Sequence, residues 1–184
     1  MKNQLDILGQ NNAQYVLSRF SDIPDFPKKG IIFKDIMGAI ADPKAFNLIL
    51  DAFIKSMPSD IDYIVGIEAR GFILGAALAQ KLNIGFIPLR KAGKLPPPVK
   101  SVTYSLEYGE DTLEIQNERL KTGDKVFVID DVIATGGTIE AAKQLLLDCK
   151  VDIKGFGFVI ELADFGATAA LQNYKVISLY KVLD

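Results

Sequence analysis

Residues 126–138 have the sequence Val-Phe-Val-Ile-Asp-Asp-Val-Ile-Ala-Thr-Gly-Gly-Thr, and this stretch decides the predicted fold. An apolar run ends in two carboxylates, and a Thr-Gly-Gly-Thr turn then opens a segment with helical periodicity that continues to about Cys149. A strand, a polar turn and a helix in this order are typical of an open parallel sheet, in which ligands bind beyond the carboxyl ends of the strands. We therefore expect the residues after Ile129 to line a binding site.

The same stretch indicates what such a site would bind. Gly136 and Gly137 allow backbone N–H groups to turn toward an anion, and the start of a helix favours negative charge. Asp130 and Asp131 would repel that anion, so they suit a neutral hydroxylated group or a cation. A sugar with a phosphate at one end and a diol at the other meets both requirements. The structural alternative is that the two aspartates cap a turn and the glycines end a strand.

The strand–turn–helix order recurs from residue 61 onward. Strands are predicted at 61–67, 84–89, 125–129, 153–162 and 175–179, with helices that end near Leu82 and Cys149. Apolar strands that alternate with helices predict an α/β fold with an open, mainly parallel sheet flanked by helices. No linker or repeat divides the chain, so we predict a single domain over residues 1–184.

Two parts of the chain depart from this order. In the N-terminal part, about residues 1–40, a helix is predicted over 2–20, followed by an irregular proline-containing segment before Ile31-Ile32-Phe33. Asp42-Pro43 then predicts an N-cap and a helix to about Met57. Residues 94–116 combine three prolines, alternating apolar residues and a predicted turn at Gly109-Glu110-Asp111, which indicates an inserted β-hairpin. Such insertions are often flexible lids.

The composition excludes several kinds of chemistry. The chain of 184 residues has no His and a single Cys, so histidine-dependent triads, HExxH zinc sites and disulfide frameworks are ruled out. Acid–base chemistry must come from carboxylates, Lys, Tyr or the substrate. The net charge of −2 does not favour nucleic acid or a membrane surface as a partner. The first residues lack the apolar core of a signal peptide and no apolar run could span a bilayer, so we expect a cytoplasmic protein.

Residues 126–138 resemble the phosphoribosyl pyrophosphate motif of the type I phosphoribosyltransferases. Other segments narrow the resemblance to the adenine phosphoribosyltransferase family: residues 24–27 (Pro-Asp-Phe-Pro), 30–36, 62–72, 90–96, and the hairpin with Tyr-Ser-Leu-Glu-Tyr-Gly at 104–109 and Leu-Glu-Ile-Gln at 113–116. The resemblance covers about residues 20–165. It implies that ribose 5-phosphate passes from phosphoribosyl pyrophosphate to N9 of adenine, which yields AMP and pyrophosphate in a purine salvage reaction that uses Mg²⁺.

The resemblance also implies roles for particular residues. The 5-phosphate would be bound by Ala134, Thr135, Gly136, Gly137 and Thr138. Asp130 and Asp131 would contact the ribose hydroxyls and stabilise positive charge on the ribose in the transition state. The pyrophosphate group would contact Glu68, Ala69, Arg70, Arg90, Lys91 and Lys94, and in relatives the basic arm at 90–94 reaches it across a dimer interface. No side chain is expected to bind Mg²⁺ directly, because substrate and water would hold it.

Base recognition and proton transfer follow from the same resemblance. Adenine would lie between Phe33 and Leu162, with its Watson–Crick edge against backbone groups of Ile32 and Lys34. Glu107, flanked by Tyr104 and Tyr108 on the lid, would accept the N9 proton. We further expect a cis peptide bond between Glu68 and Ala69, and a homodimer whose interface includes residues 90–94.

Alternatives remain for several of these assignments. Arg70 could be a solvated cation, although a positive charge at a helix start is unfavourable. The basic cluster at 90–94 could be a solvated loop, and its position 92 is Ala where some relatives carry another basic residue. Instead of an enzyme, the chain could be a regulator that binds phosphoribosyl pyrophosphate or a purine without catalysis, although no DNA-binding pattern is present. A different base, such as a 6-oxopurine or orotate, is a third possibility.

Overall fold

The N-terminal helix is interrupted. The computed structural model describes residues 4–26, 28–105 and 109–183. A 3₁₀ helix, Gln4–Leu8, precedes α1, Gln10–Leu17. Gly9 separates them with a φ of 82°, in the left-handed region that favours glycine. The prediction of one helix over residues 2–20 is therefore wrong in its continuity, although Leu5 is fully buried, as an apolar face requires.

A two-stranded antiparallel sheet follows this region. Strand β1, Ser21–Pro24, pairs with β2, Ile32–Asp35, and Ile23 lies opposite Phe33. The N–H of Gly30 donates a 2.7 Å hydrogen bond to the Asp25 carboxylate in the connecting segment. The pair presents residues 32–34, to which base contacts are assigned, as an extended strand.

Two helices connect this pair of strands to the main sheet: α2, Met37–Ala41, and α3, Pro43–Ser56. The Asp42 carboxylate accepts hydrogen bonds from the N–H groups of Lys44 and Ala45 at 2.9 and 3.0 Å. These bonds satisfy donors that have no partner within the helix, and Pro43 occupies a position where its missing N–H costs nothing. The predicted cap and helix are confirmed.

The main sheet has seven strands among the described residues, in the order β5-β6-β4-β3-β7-β8-β9. Strands β4, β3, β7, β8 and β9 are parallel, whereas β5 and β6 are antiparallel to their neighbours. The prediction of a mainly parallel sheet flanked by helices is confirmed. The elements are β3, Tyr63–Ile67; α4, Arg70–Leu82; β4, Gly85–Lys91; β5, Lys100–Ser105; β6, Glu110–Ile115; β7, Lys125–Ile133; α5, Gly137–Asp148; β8, Asp152–Leu162; and β9, Val176–Val182, with 3₁₀ helices at Asn117–Arg119, Ala163–Phe165 and Ala167–Leu171.

Apolar side chains cover both faces of the sheet, and β7 shows how the sequence achieves this. Phe127 and Ile129 pack with Phe53 of α3 on one face. Val128 packs with Leu145 of α5 on the other. Successive side chains of a strand alternate between faces, so a strand buried on both sides is continuously apolar. Within the described part of the chain, no helix is both long and apolar enough to cross a membrane.

Strand β7 extends beyond its predicted end at Ile129. Its pairing with β8 continues through Asp130, opposite Phe158, to Ile133, opposite Glu161. The predicted end of the strand at Ile129 is wrong because the long β8 supplies backbone hydrogen-bond partners beyond it. These partners extend the strand although its side chains become polar at Asp130. The two aspartates therefore lie on a paired strand, where Asp131 is buried and Asp130 is partly buried.

Strands β5 and β6, which lie within the predicted hairpin, pair with each other, and β6 joins the main sheet. Strand β6 pairs with β4 through Arg90, opposite Glu114, so the hairpin lies beside the basic segment. The prediction of a turn at residues 109–111 is wrong, because Glu110 and Asp111 belong to β6 and Asp111 lies opposite Tyr104.

Candidate active site

The turn after β7 forms a small cavity of about 140 Å³, lined by Asp130, residues 132–139 and Phe158. Helix α5 begins at Gly137, and no side chain caps its N-terminus. The first N–H groups of a helix have no acceptor within it, so this terminus can bind an anion. The structure thus brings together residues 134–138, the predicted phosphate-binding residues, around one cavity.

The shape of this turn depends on a glycine. Gly136 has a φ of 89°, and a Cβ built on it would lie 2.9 Å from the Cβ of Ala167. A side chain at this position would therefore be strained and would also collide with a neighbour. Ala167, in the 3₁₀ helix Ala167–Leu171, therefore packs directly against the predicted phosphate-binding turn.

A larger cavity of about 340 Å³ adjoins the first, and Asp130, Val132 and Thr138 line both. Its other lining residues are Ile67, Glu68, Ala69, Arg70, Lys91, Tyr104, Asp111, Leu113 and Asp131. The residues after β3 and those after β7 therefore meet at one edge of the sheet, as expected for neighbouring parallel strands. The peptide bond between Glu68 and Ala69 is cis, which confirms that prediction.

The two aspartates differ in their surroundings. The Asp131 side chain is 7% exposed and forms a 2.6 Å ion pair with Nε of Arg70. Asp130 is half-buried, and its Oδ1 accepts a 2.9 Å hydrogen bond from the Asp131 N–H. Burial raises the pKa of Asp130 well above its usual value, and the charge of Asp131 adds to this rise. Burial also raises the pKa of Asp131, but Arg70 opposes the shift.

Arg70 also contacts one of the predicted base-binding residues. Its guanidinium carbon lies 4.8 Å from the centroid of the Phe33 ring, in a cation–π arrangement. The Phe33 ring also makes an edge contact with Phe26, with centroids 5.2 Å apart. The predicted base-binding residues Ile32, Phe33, Lys34 and Leu162 line neither of the two cavities. Phe33 contacts Arg70, which lines the larger cavity.

The residues of the predicted basic cluster do not all reach the larger cavity. Lys91 lines the larger cavity, and its Nζ forms a 2.9 Å ion pair with Asp111. Nε of Arg90 lies 2.8 Å from Oε2 of Glu68, and another guanidinium nitrogen donates to the Lys94 carbonyl at 3.2 Å. The Lys94 side chain is exposed and lines neither cavity.

One predicted lid residue reaches the site. The Tyr104 hydroxyl lies 3.3 Å from Oγ1 of Thr138, at the first turn of α5. Burial raises the pKa of this phenol. The predicted base Glu107 and the second lid tyrosine, Tyr108, lie outside the described residues.

Comparisons with known proteins agree with this geometry. A family model described as a phosphoribosyl transferase domain matches residues 38–176. An adenine phosphoribosyltransferase from Bifidobacterium animalis subsp. lactis is 43% identical over 178 residues, which cover 95% of this chain and 92% of that protein. Another from Halothermothrix orenii is 51% identical over 161 residues, covering 86% and 94%. The chain belongs to the adenine phosphoribosyltransferase family.

Solved structures of the family have the same fold. The adenine phosphoribosyltransferase from Thermoanaerobacter pseudethanolicus has a TM-score of 0.87 at 41% identity, with 92% of this chain and 99% of that chain covered. The enzyme from Saccharomyces cerevisiae, solved with an imino-altritol bisphosphate and adenine, has a TM-score of 0.85 at 38% identity, covering 92% and 99%.

In this member of the adenine phosphoribosyltransferase family, two carboxylates were missed from the sequence, of which one lines the larger cavity and the other lines neither cavity. Asp111 lines the larger cavity but was assigned to a turn. Its two-residue spacing from buried Leu113 and Ile115 could have placed it on the inner face of a strand. Buried Glu161 was also missed.

Glu161 braces the segment that packs on the predicted phosphate-binding turn. Its carboxylate accepts a 3.2 Å hydrogen bond from the Thr168 hydroxyl and lies 3.0 Å from Nζ of Lys181. These contacts tie β8 and β9 to the segment whose Ala167 touches the turn. In the sequence, a single glutamate within an apolar run is the pattern that could have identified Glu161.

Proposed function

We propose that this protein is a glycosyltransferase of purine salvage that transfers ribose 5-phosphate from phosphoribosyl pyrophosphate to N9 of adenine, forming AMP and pyrophosphate. The observation that carries the proposal is the pair of adjoining cavities with Asp130 and Thr138 on their common wall. One cavity offers helix N–H groups and hydroxyls, and the other offers cations beside two aspartates. This arrangement matches a ribose with a phosphate at each end.

The smaller cavity would bind the 5-phosphate. Residues 134–138 supply the backbone N–H groups of a helix start together with the Thr135 and Thr138 hydroxyls, which are suitable donors for phosphate oxygens. This binding would anchor the ribose with its hydroxyls toward Asp130 and Asp131. Anchoring at one end lowers the entropic cost of aligning the reacting carbon at the other.

The aspartates would act on the charge that develops at the ribose. When the bond from C1 to the pyrophosphate oxygen breaks ahead of N9 attack, positive charge spreads over C1 and the ring oxygen. Asp130 and Asp131 would stabilise that charge, which the ground state lacks. The electron pair of the broken bond leaves with pyrophosphate, and N9 supplies the pair for the new bond.

The larger cavity would bind the pyrophosphate group. Arg70 and Lys91 line it, and each is paired with a carboxylate in the free chain, at 2.6 and 2.9 Å respectively. Pyrophosphate would replace those partners, and the planar guanidinium of Arg70 suits two phosphate oxygens at once. Arg90 and Lys94 would join through movement of the basic segment.

The residues of the chain fit a Mg²⁺ ion that the substrate largely carries. Among residues 4–26, 28–105 and 109–183, no three carboxylate, His or Cys side chains form a group able to hold a metal ion. Mg²⁺ commonly keeps several waters and binds substrate phosphates with few protein ligands. When bound to the pyrophosphate oxygens, the ion would neutralise charge on the leaving group.

Adenine would occupy the space beside β2 and the end of β8. Phe33 is half-buried and has an aromatic face available for stacking once Arg70 turns toward pyrophosphate. Leu162 would cover the other face of the base, and the backbone of Ile32 and Lys34 would contact its Watson–Crick edge. Glu107 would take the N9 proton under the closed hairpin.

The assembly and the location of the protein belong to the same proposal. We expect a homodimer with residues 90–94 at its interface, and an enzyme that works in the cytoplasm. Residues 1–184 would act as one domain, because Leu5 of the N-terminal 3₁₀ helix packs in the same apolar cluster as Phe53 and Leu179 of the main fold.

The test is a base-specificity assay. Purified protein, Mg²⁺ and phosphoribosyl pyrophosphate are incubated separately with adenine, hypoxanthine, guanine and orotate, and nucleotide products are separated by chromatography. We expect AMP and pyrophosphate from adenine, and little product from the other bases. Preferred turnover of another base would overturn the base assignment. Binding of phosphoribosyl pyrophosphate without turnover of any base would instead indicate a regulator.

A further inference from the structure

Asp111 lies on the wall of the larger cavity, and the proposed reaction gives it no role. Its Oδ2 lies 2.9 Å from Nζ of Lys91, a cation assigned to pyrophosphate. The Lys91 side chain is 58% exposed, whereas that of Asp111 is 18% exposed. The Asp111 carboxylate therefore already pairs with Lys91, the cation that a phosphate oxygen of the ligand would need to contact.

The two partners differ in their freedom to move. Asp111 lies in β6 opposite Tyr104, and its Oδ1 accepts a 2.9 Å hydrogen bond from the Thr112 N–H. Lys91 is the last residue of β4, and its long side chain lies mostly in solvent. The carboxylate is thus held by its strand while the ammonium group can turn to another acceptor.

We propose that the Asp111 carboxylate is an intramolecular competitor of the pyrophosphate group, which must displace it from Lys91 to bind. The inference rests on the proposed function, because it takes pyrophosphate as the ligand of the larger cavity. Asp111 then weakens binding of the substrate diphosphate and of the product by the same ion-pair contribution. It recaptures Lys91 when pyrophosphate leaves.

The electrostatics of the pair agree with this exchange. The hydrogen bond and charge of Asp111 raise the pKa of Lys91, and Lys91 lowers the pKa of Asp111. Each group therefore stabilises the charged form of the other. An exposed ion pair is nevertheless weak, so a multiply charged pyrophosphate can displace the single carboxylate.

The test is the dissociation constant of inorganic pyrophosphate with Mg²⁺, measured by calorimetry on the purified enzyme. Asp111→Asn should tighten binding about two- to fivefold, the range expected when an exposed ion pair no longer competes. The Asn side chain can still accept from Thr112, so the strand should persist. Lys91→Gln should weaken binding, and in that background Asp111→Asn should change the constant by less than about 1.5-fold.

A matched control separates this exchange from a change in net charge. Asp51 pairs with Lys81 at 2.7 Å and lines neither cavity, so Asp51→Asn should leave the dissociation constant unchanged. Unchanged or weaker binding by Asp111→Asn would overturn the proposal, as would tightening that persists in the Lys91→Gln background or appears with Asp51→Asn. AMP formation by the wild-type preparation is measured alongside. Its absence would refute the proposed function, whereas normal AMP formation without tightening would refute the role of Asp111 alone.

Discussion

Replacing Asp130 with Asn should lower catalysis and raise stability together. Asp130 lines both cavities, and its Oδ1 accepts a 2.9 Å hydrogen bond from the N–H of Asp131. Asn has nearly the same size and can keep that bond through its own Oδ1. The substitution therefore removes a negative charge and leaves the local geometry in place.

The catalytic loss follows from the charge that develops at the ribose. A preorganised group that stabilises transition-state charge is worth roughly 2.7–4 kcal/mol, which corresponds to a fall of about 10²- to 10³-fold in turnover. Asp131 remains beside the site, so the loss should lie at the lower end of this range. We therefore expect kcat/KM of Asp130→Asn to fall by about two orders of magnitude at neutral pH.

The stability gain follows from the pKa of the same group. Burial and the charge of Asp131 raise the pKa of Asp130, so the folded carboxyl holds its proton more tightly than the unfolded one. Its contribution to stability is present at acidic pH and is lost as pH rises through the raised folded pKa. Asn cannot ionise, so the variant should have the higher free energy of unfolding at pH 8. This advantage should disappear below the ordinary Asp pKa of about 3.9, where both forms are neutral.

Two measurements on the same preparations check the predicted loss of catalysis and the predicted gain in stability. Initial rates of AMP formation give kcat/KM, and denaturant unfolding at several pH values gives the stability difference. Asp51→Asn is the control, because its carboxylate lies on the surface away from the cavities. Near-normal kcat/KM in Asp130→Asn would refute the role in catalysis. A variant less stable than wild type at pH 8 would refute the electrostatic argument.

Three further predictions concern other parts of the site. Glu107→Gln should lower kcat at least about tenfold with a smaller effect on the KM for phosphoribosyl pyrophosphate, because a positioned base contributes about 10²- to 10⁴-fold; retention of most of the kcat when chemistry limits the rate would place the base elsewhere. Gly136→Ala should raise the KM for phosphoribosyl pyrophosphate and lower the free energy of unfolding more than Gly123→Ala does. Both glycines have φ near 90°, but a Cβ at Gly136 would lie 2.9 Å from Ala167, whereas one at Gly123 would meet no neighbour. An equal loss of stability in the two variants would contradict the steric argument. Light scattering at assay concentrations should show a dimer, and an active monomer would remove residues 90–94 from any role across the interface.

Features encoded in short stretches of sequence were predictable. The Asp42-Pro43 cap is local, because its hydrogen bonds reach only to Lys44 and Ala45. The turn at residues 134–138 is equally local, and its two glycines predict a backbone conformation that other residues rarely adopt. These parts of the fold and of the candidate site need no knowledge of distant partners.

Features that depend on distant partners were not predictable in the same way. The end of β7 is set by the length of β8, which lies about 20 residues further along the chain and pairs with Ile133 through Glu161. The ion pairs of Arg90 with Glu68 and of Lys91 with Asp111 join residues about 20 apart, and they exist only after β4 is placed beside β3 and β6. The assignment of Phe33 and Leu162 to the adenine-binding site rested on the family resemblance, because either residue alone would be interpreted as a residue of the hydrophobic core.

The paired cations explain how a site for a highly charged ligand can be stable without it. Arg70, Arg90 and Lys91 would repel one another at one edge of the sheet, yet each lies within 3 Å of a carboxylate oxygen, at 2.6, 2.8 and 2.9 Å. If the proposed function holds, binding of a diphosphate would be an exchange of partners, and its affinity would be the difference between two sets of ion pairs. A difference of this kind favours release of the product, because the carboxylates reclaim the cations.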